Sequence, residues 1–307
     1  MSVIEFLSTE LGKNEADIIL FLRDAPKKYK VYTIPKRTSG HRVIAQPSRE
    51  LKSYQYKYLD HCSFPIHDAA TAYRIGLSIK DNADRHRKNK YLLKIDLENF
   101  FNSITNTLFW DVYNQKLPVL SDRDKWAVEQ LLFWAPSKSL KGKLILSVGA
   151  PSSPIISNFI MYSFDDAISD LCFRLGITYT RYADDLTFST DVKDTLFSIP
   201  ELVSERLKYI YNGNLRINRR KTIFSSKAHN RHVTGLTINN HGQLSLGRKS
   251  KRYIKHLVHK FKSNDLSQDD LLYLKGILAY ARHVEYSFIE SLLDKYSAET
   301  INEIIKG

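Results

Sequence analysis

Apolar residues recur near helical spacing over the first two dozen positions, with Leu7, Leu11, Ile18 and Leu22 on one face, and predict a helical lead-in over residues 3–24. The period then shifts to two. Tyr29 to Pro35 and His41 to Gln46 are β-rich runs around Lys36-Arg37-Thr38-Ser39-Gly40, which predicts a hairpin with a basic tip. Ser48 can cap a helix running through Cys62. Tyr91 to Ile95 is a short apolar run suited to a buried strand, and Asp96 ends it. Residues 126–134 read as helix. Gly149-Ala150-Pro151-Ser152-Ser153-Pro154 breaks the chain, and Ser153 followed by Pro154 predicts a capped helix to about Leu175. Two β runs, Ile177 to Ala183 and Leu186 to Thr190, flank Asp184-Asp185. A helix over 201–211 precedes short strands near 215–218, 222–225 and 233–238, and the pattern is helical again from Gly247. No internal repeat or low-complexity segment is visible.

Composition sets the class. The chain has 307 residues, 43% of them hydrophobic and 26% charged, which excludes a disordered or collagen-like protein and leaves room for two or three subdomains. Every apolar run is soon interrupted by charge, so none is expected to span a bilayer. The first residues carry acids where a signal peptide needs a basic and then an apolar stretch. Cys62 and Cys172 make neither a disulfide framework nor a metal pair. These features point to a soluble protein in a reducing cytoplasm.

The net charge of +13 suggests a polyanionic partner, and its distribution says more than the total. Arg206 to Asn264 contains 15 Lys and Arg and no acid at all. A merely solvated surface mixes both signs, because uncompensated like charges repel. The anion best matched to so many cations is a nucleic-acid backbone. A second basic stretch, Lys27 to Lys52, has eight Lys and Arg against Glu50.

Three acids stand out by their setting. Asp96 ends an apolar run, and Asp184 and Asp185 occupy the turn of Tyr179-Thr-Arg-Tyr-Ala-Asp-Asp-Leu-Thr-Phe-Ser189. Taken alone, an Asp-Asp turn is more often a solvated hairpin tip. If both strands lie side by side in one sheet, the three carboxylates converge and need a cation, for which oxygen ligands favour Mg²⁺. Two such ions can activate an attacking hydroxyl and stabilise a leaving pyrophosphate. Asp165, Asp166 and Asp170 read as structural acids. Gly242 to Ser250 imitates a phosphate loop with one residue too many, and the His229/His232 and His256/His259 pairs lack further ligands for zinc.

Tyr182-Ala183-Asp184-Asp185 resembles the YxDD box of reverse transcriptases, and Asp96-Leu-Glu-Asn-Phe-Phe101 resembles their first acidic motif. Gly149 to Pro154 is similar to the loop-to-helix element that supports template and incoming nucleotide. Asn82-Ala-Asp-Arg-His86 fits the NAxxH box and Val233-Thr234-Gly235 the VTG box of bacterial retron reverse transcriptases, and the five motifs occur in order between about Tyr29 and Lys262. The position before Gly149 is Val148, where many relatives carry a Gln that touches the nucleotide.

The resemblance implies an α+β right-hand polymerase with fingers, an antiparallel palm sheet with helices, and a helical thumb. The expected divisions are a lead-in over 1–26, fingers over 27–90, palm over 91–240 with part of the fingers at 110–148, and thumb over 241–307. It implies that Asp96, Asp184 and Asp185 are catalytic and bind two Mg²⁺ ions. Phe101 matches the aromatic steric gate against a ribose 2′-hydroxyl, unless it and Phe100 are simply core. Arg42 matches a fingers arginine for the triphosphate, and Gly149 and Ala150 fall in the nucleotide loop. Lys221 is either a proton donor to pyrophosphate or an RNA-backbone contact. Asn82, His86 and Thr234 are expected to recognise RNA, with Arg248, Lys249, Arg252 and Lys255 on duplex phosphates. Retron enzymes copy part of their own structured noncoding RNA, with dNTPs, into a small DNA that stays RNA-linked, starting from a guanosine 2′-hydroxyl, and work in antiphage defence with a separately encoded effector protein. The competing readings are an RNA/DNA-binding scaffold for an effector and a maturase-like reverse transcriptase of a mobile intron.

Overall fold

The structure, a computed structural model, describes residues 1–36, 40–139 and 142–306. The tip of the basic hairpin, Arg37 to Ser39, lies outside the described residues. Two helices rather than one open the chain, Val3–Leu11 and Glu15–Asp24. Gly12 ends the first at φ 62°, where a Cβ would be strained, and the Asn14 side chain starts the second by accepting the Asp17 N–H.

Strands β1 (Tyr29–Pro35) and β2 (His41–Pro47) form an antiparallel ribbon, with Ile34 opposite Arg42. Ser48 Oγ accepts the Leu51 N–H and so caps the helix Arg49–His61. Strands β3 (Tyr91–Leu97), β4 (Thr178–Tyr182), β5 (Asp185–Thr190) and β6 (Ile217–Ser226) make a four-stranded sheet in the order β4-β5-β3-β6. Two expectations change here. β3 runs one residue beyond Asp96, because the Leu97 N–H finds the Asp184 carbonyl at 3.0 Å. β6 is continuous where two short strands were expected.

The long helix expected after Gly149 is two, Ser152–Ile160 and Tyr162–Arg174, meeting at Met161. Ser153 lies inside the first of them rather than capping it, and no side chain caps that start. Strands β7 (Arg231–Val233), β8 (Leu236–Ile238) and β9 (Leu244–Ser245) form a small antiparallel sheet. The single run expected over 233–238 is therefore a hairpin. Its two turn residues, Thr234 at φ 46° and Gly235 at φ 86°, have the left-handed backbone that matches the twist of flanking strands.

The chain forms two compact units. The first comprises Met1–Arg74, Lys94–Leu186 and Phe197–Thr222. Its core holds Phe64, Phe109, Phe133 and Phe159, with the Phe64 and Phe159 rings 5.2 Å apart. The second comprises Ile75–Leu93, Thr187–Leu196 and Ile223–Gly307. There Leu236, Ile254, Leu274, Leu292 and Ile304 join the small sheet to the helices Gly247–Lys262, Gln268–Val284, Tyr286–Tyr296 and Ala298–Lys306. Among the described residues no helix is long and apolar enough to cross a membrane.

Candidate active site

Sheet order brings the three singled-out acids together. Asp96 sits near the end of β3, Asp185 opens the adjacent β5, and Asp184 lies in the turn before it. The Leu97 N–H to Asp184 carbonyl bond ties that turn to β3. On the other side of β3, β6 supplies Asn218 and Lys221. Lys221 Nζ bridges both Asp96 oxygens at 3.0 and 2.9 Å, and Asn218 Nδ2 donates to the same carboxylate at 3.2 Å.

The electrostatics follow from this crowding. Burial first, and then the charges of Asp184 and Asp96, push the Asp185 carboxyl up to about 6. Burial also raises Asp184, with Asp96 adding to the shift while its own backbone bond, Lys221 and Arg42 oppose it. Lys221 is raised above the usual ammonium range chiefly by its bond to Asp96. An all-carboxylate donor set whose charges oppose one another fits a hard divalent cation. Among the described residues no three His, Cys, Asp or Glu side chains gather tightly enough to hold one unaided. Lys221 is the cation on Asp96.

Phe101, Val148, Gly149, Ala150 and Pro151 line a cavity of about 240 Å³, and Tyr73 in the same lining feels the charge of Asp184. Of the two adjacent rings, Phe100 is buried in the core, and Phe101 lines the cavity. Gly149 sits at φ 128°, and a Cβ there would lie 3.2 Å from the Ala45 carbonyl, so only glycine admits so close an approach by β2. Val148 holds the same contact through its backbone, its carbonyl accepting from the Ala45 N–H at 2.9 Å. Arg42, on the same strand, is exposed. Lys52, which ends the second basic stretch, also lines the cavity, with Tyr56 and Tyr73, to which nothing in the sequence pattern pointed.

Under the acidic turn lies a buried polar network. Arg181 and Asp165 are both fully buried, and their fork closes at 2.6 to 3.1 Å. Arg181 Nη1 also donates to Asn158 Oδ1 at 3.0 Å and to the Ala183 carbonyl at 3.1 Å. Tyr179 donates its hydroxyl to Asp165 at 2.8 Å. Asp165 is thus a structural acid, as its sequence setting suggests, while Arg181 was missed. Its signal was available: a lone cation inside an apolar β run just before two acids.

The comparisons with known proteins decide the family. Residues 34–238 match the model of the reverse transcriptase (RNA-dependent DNA polymerase) family. The chain is 46% identical to the retron Ec83 reverse transcriptase of Escherichia coli, over 98% of its own length and 97% of that protein. This chain belongs to the bacterial retron reverse transcriptases. It is 32% identical to the retron Ec73 reverse transcriptase of Escherichia coli, over 95% of this chain and 93% of that one. Among solved structures it is similar to an apo telomerase from Candida tropicalis, with a TM-score of 0.49 at 13% identity, covering 88% of this chain and 59% of that one. It is similar also to a foamy viral protease-reverse transcriptase in complex with an RNA/DNA hybrid, with a TM-score of 0.46 at 17% identity, covering 91% of this chain and 33% of that one.

The retron enzyme is therefore an RNA-directed DNA polymerase with the right-hand fold of fingers, palm and thumb. Polymerases of this family use divalent metal ions. Its two retron boxes meet within the second unit: Thr234 Oγ1 donates to the Ile79 carbonyl at 3.1 Å, in the helix Ile79–Asp84 that carries Asn82. One expectation needs correcting. Asn82 and His86 are fully buried, so neither side chain offers a surface to RNA in this geometry. Burial, and then the charge of Arg85, push the His86 imidazole down to about 3, which keeps it neutral. Its Nδ1 lies 2.7 Å from Ser189 Oγ, which also accepts from Asn89 Nδ2 at 2.8 Å. The Asn89 carbonyl in turn accepts from Arg231. The helix Gly247–Lys262 presents Arg248, Lys249 and Arg252 to solvent, while Lys255 is half-buried with its ammonium 5.8 Å from the Phe288 ring centre.

Proposed function

We propose that this retron reverse transcriptase copies part of its own structured noncoding RNA into a small single-stranded DNA that stays joined to the RNA, primed from a guanosine 2′-hydroxyl. The enzyme works in the cytoplasm, in antiphage defence beside a separately encoded effector. What supports the reading is the coexistence of two features in one chain. An acidic sheet end suited to nucleotidyl transfer is retained, and the NAxxH and VTG boxes form a cluster of their own that carries no part of that acidic site. Within this reading residues 27–90 serve as fingers, 91–240 as palm with 110–148 shared by the fingers, and 241–307 as thumb.

Asp96, Asp184 and Asp185 would hold two Mg²⁺ ions, which supply activation of the attacking hydroxyl and neutralisation of the leaving pyrophosphate. The chain does the positioning. Arg42 takes the triphosphate through its donor fork, and Phe101 crowds the ribose 2′ position above Gly149 and Ala150. Lys221, protonated and already at Asp96, stands where it can donate to the departing pyrophosphate or hold backbone phosphate. Asn82 and His86 act on RNA through the segment they brace, with Thr234 and Gly235 at its surface.

Sequencing the nucleic acid that copurifies with the enzyme tests the reading. A branched RNA–DNA of one defined sequence is expected, and a mixed population of cellular RNA would overturn it. Asp185→Asn should abolish synthesis while RNA affinity stays within a few fold, since the fold does not need that charge.

A further inference from the structure

Tyr73 has a backbone that tyrosine rarely adopts. Its φ is 58°, in the left-handed region where a Cβ crowds the carbonyl that follows. A strained aromatic persists only where its surroundings over-determine it, and such residues gather at binding sites. The surroundings here are explicit. Asn158 Nδ2 donates to the Ala72 carbonyl at 2.9 Å, inside the protein. The Thr71 N–H and the Arg181 N–H bond across to Arg181 and Ala69, each at 2.8 Å. Asn158 is also the residue that takes Arg181 Nη1. One buried network thus bonds the chain at two left-handed turns, at Ala183 before the acids and at Ala72 before Tyr73.

The side chain this strain displays is not buried for packing. Tyr73 is 48% exposed and lines the cavity that Phe101, Gly149 and Ala150 line. Its phenol feels Asp184 and Arg42 as nearby charges; burial and Asp184 raise it, so it stays protonated as a donor. An incoming nucleotide must place its sugar at Phe101 and its phosphates between the acids and Arg42. The hollow has aromatic walls in Tyr56 and Tyr73 and a cation in Lys52, the chemistry that a base, a sugar and a phosphate require. We infer that Tyr73 is a nucleotide-contacting residue, its ring forming the wall opposite Phe101 and its hydroxyl donating to the incoming dNTP. This rests on the active-site reading above.

The test separates the two. On an annealed primer–template with a dideoxy-terminated primer, the next dNTP traps a ternary complex without chemistry. Tyr73→Phe removes only the donor and should raise both the half-trapping dNTP concentration and the dNTP KM about three- to tenfold, with kcat little changed. Tyr73→Gly removes the ring as well and should raise them further. Its melting temperature should not fall, because glycine accepts this φ without strain. Unchanged dNTP trapping and KM in both folded variants would overturn the inference, as would a loss confined to primer–template affinity, which would make Tyr73 a template contact. Asp185→Asn serves as the control for the site itself. If it abolishes synthesis while the Tyr73 variants behave as wild type, only the role of Tyr73 fails; if it does not, the site reading fails first.

Discussion

Arg181 donates from Nη1 to the carbonyl of Ala183, two residues ahead on its own chain, at 3.1 Å. Ala183 takes φ 57° there, and the next two residues are the acids of the site. The guanidinium is fully buried and paired with an equally buried Asp165. A buried ion pair is weak evidence for stability, since desolvation offsets the attraction. Its contribution here is geometric: it sets the turn that aims Asp184 and Asp185.

This separates stability from activity. Arg181→Met alone leaves Asp165 charged and unpaired inside the protein and should cost about 3–5 kcal/mol of stability. The double variant Arg181→Met, Asp165→Leu removes both charges and should recover most of that loss in thermal melting. Primer extension should nevertheless stay at least tenfold down, because the Ala183 carbonyl has lost its donor. A stable double variant at the wild-type rate would show that the turn holds itself.

Phe100 and Phe101 give a second contrast, because adjacent rings have different surroundings. Phe101→Ala opens the cavity beside the sugar and should raise rNTP use relative to dNTP with a small change in melting. Phe100→Ala empties the core instead and should destabilise by about 3–5 kcal/mol without altering sugar preference. Should the sugar ratio stay fixed in a folded Phe101→Ala, the gate lies elsewhere.

How far these features were legible depends on the range of the interaction behind them. Strands, the capped helix after Ser48 and the three acids could be read directly, because period, caps and charged ends are local signals. The hairpin hidden in 233–238 turns on a short local signal, Thr234-Gly235, that the apolar pattern masked, whereas the setting of Tyr73 depends on partners far along the chain, such as Asn158 for Ala72. Asn82 and His86 misled for the same reason. A polar pair four residues apart looks like a recognition face until tertiary packing closes over it.

Asp185, pushed up to about 6, predicts a pH profile. Below that value the carboxyl is protonated and cannot hold a cation, so metal affinity and synthesis should rise with pH and level off above about 6. The stability of the metal-free protein runs the other way. A carboxyl raised on folding contributes fully below its unfolded value of about 4, and that contribution is lost as pH rises through about 6. Lys94 is the first of the charges that hold the group down. Lys94→Gln should therefore move the activity midpoint to higher pH. A profile that keeps its midpoint in that variant would assign the titration to another group.

The last prediction concerns the acid-free stretch, and its discriminating power comes from one lysine that should not count. On the helix Gly247–Lys262, Lys251 already pairs with Glu285 at 2.5 Å, and Glu285 also takes the Leu246 N–H at 3.1 Å. Its charge is matched within the protein and releases few counterions from a phosphate backbone. Arg248, Lys249 and Arg252 face solvent, and none of them makes an ion pair among the described residues. If this face lies along the duplex, neutralising any of the three, or Lys255, should lower the slope of log K against log salt by about 1, whatever the duplex sequence. Lys251→Gln should leave the slope nearly unchanged and lower melting temperature instead, because it uncovers a partly buried Glu285. Equal slopes for wild type and the Arg248, Lys249 and Arg252 variants would remove this helix from the nucleic-acid path. A large slope change from Lys251 alone would mean that the Glu285 pair opens on binding.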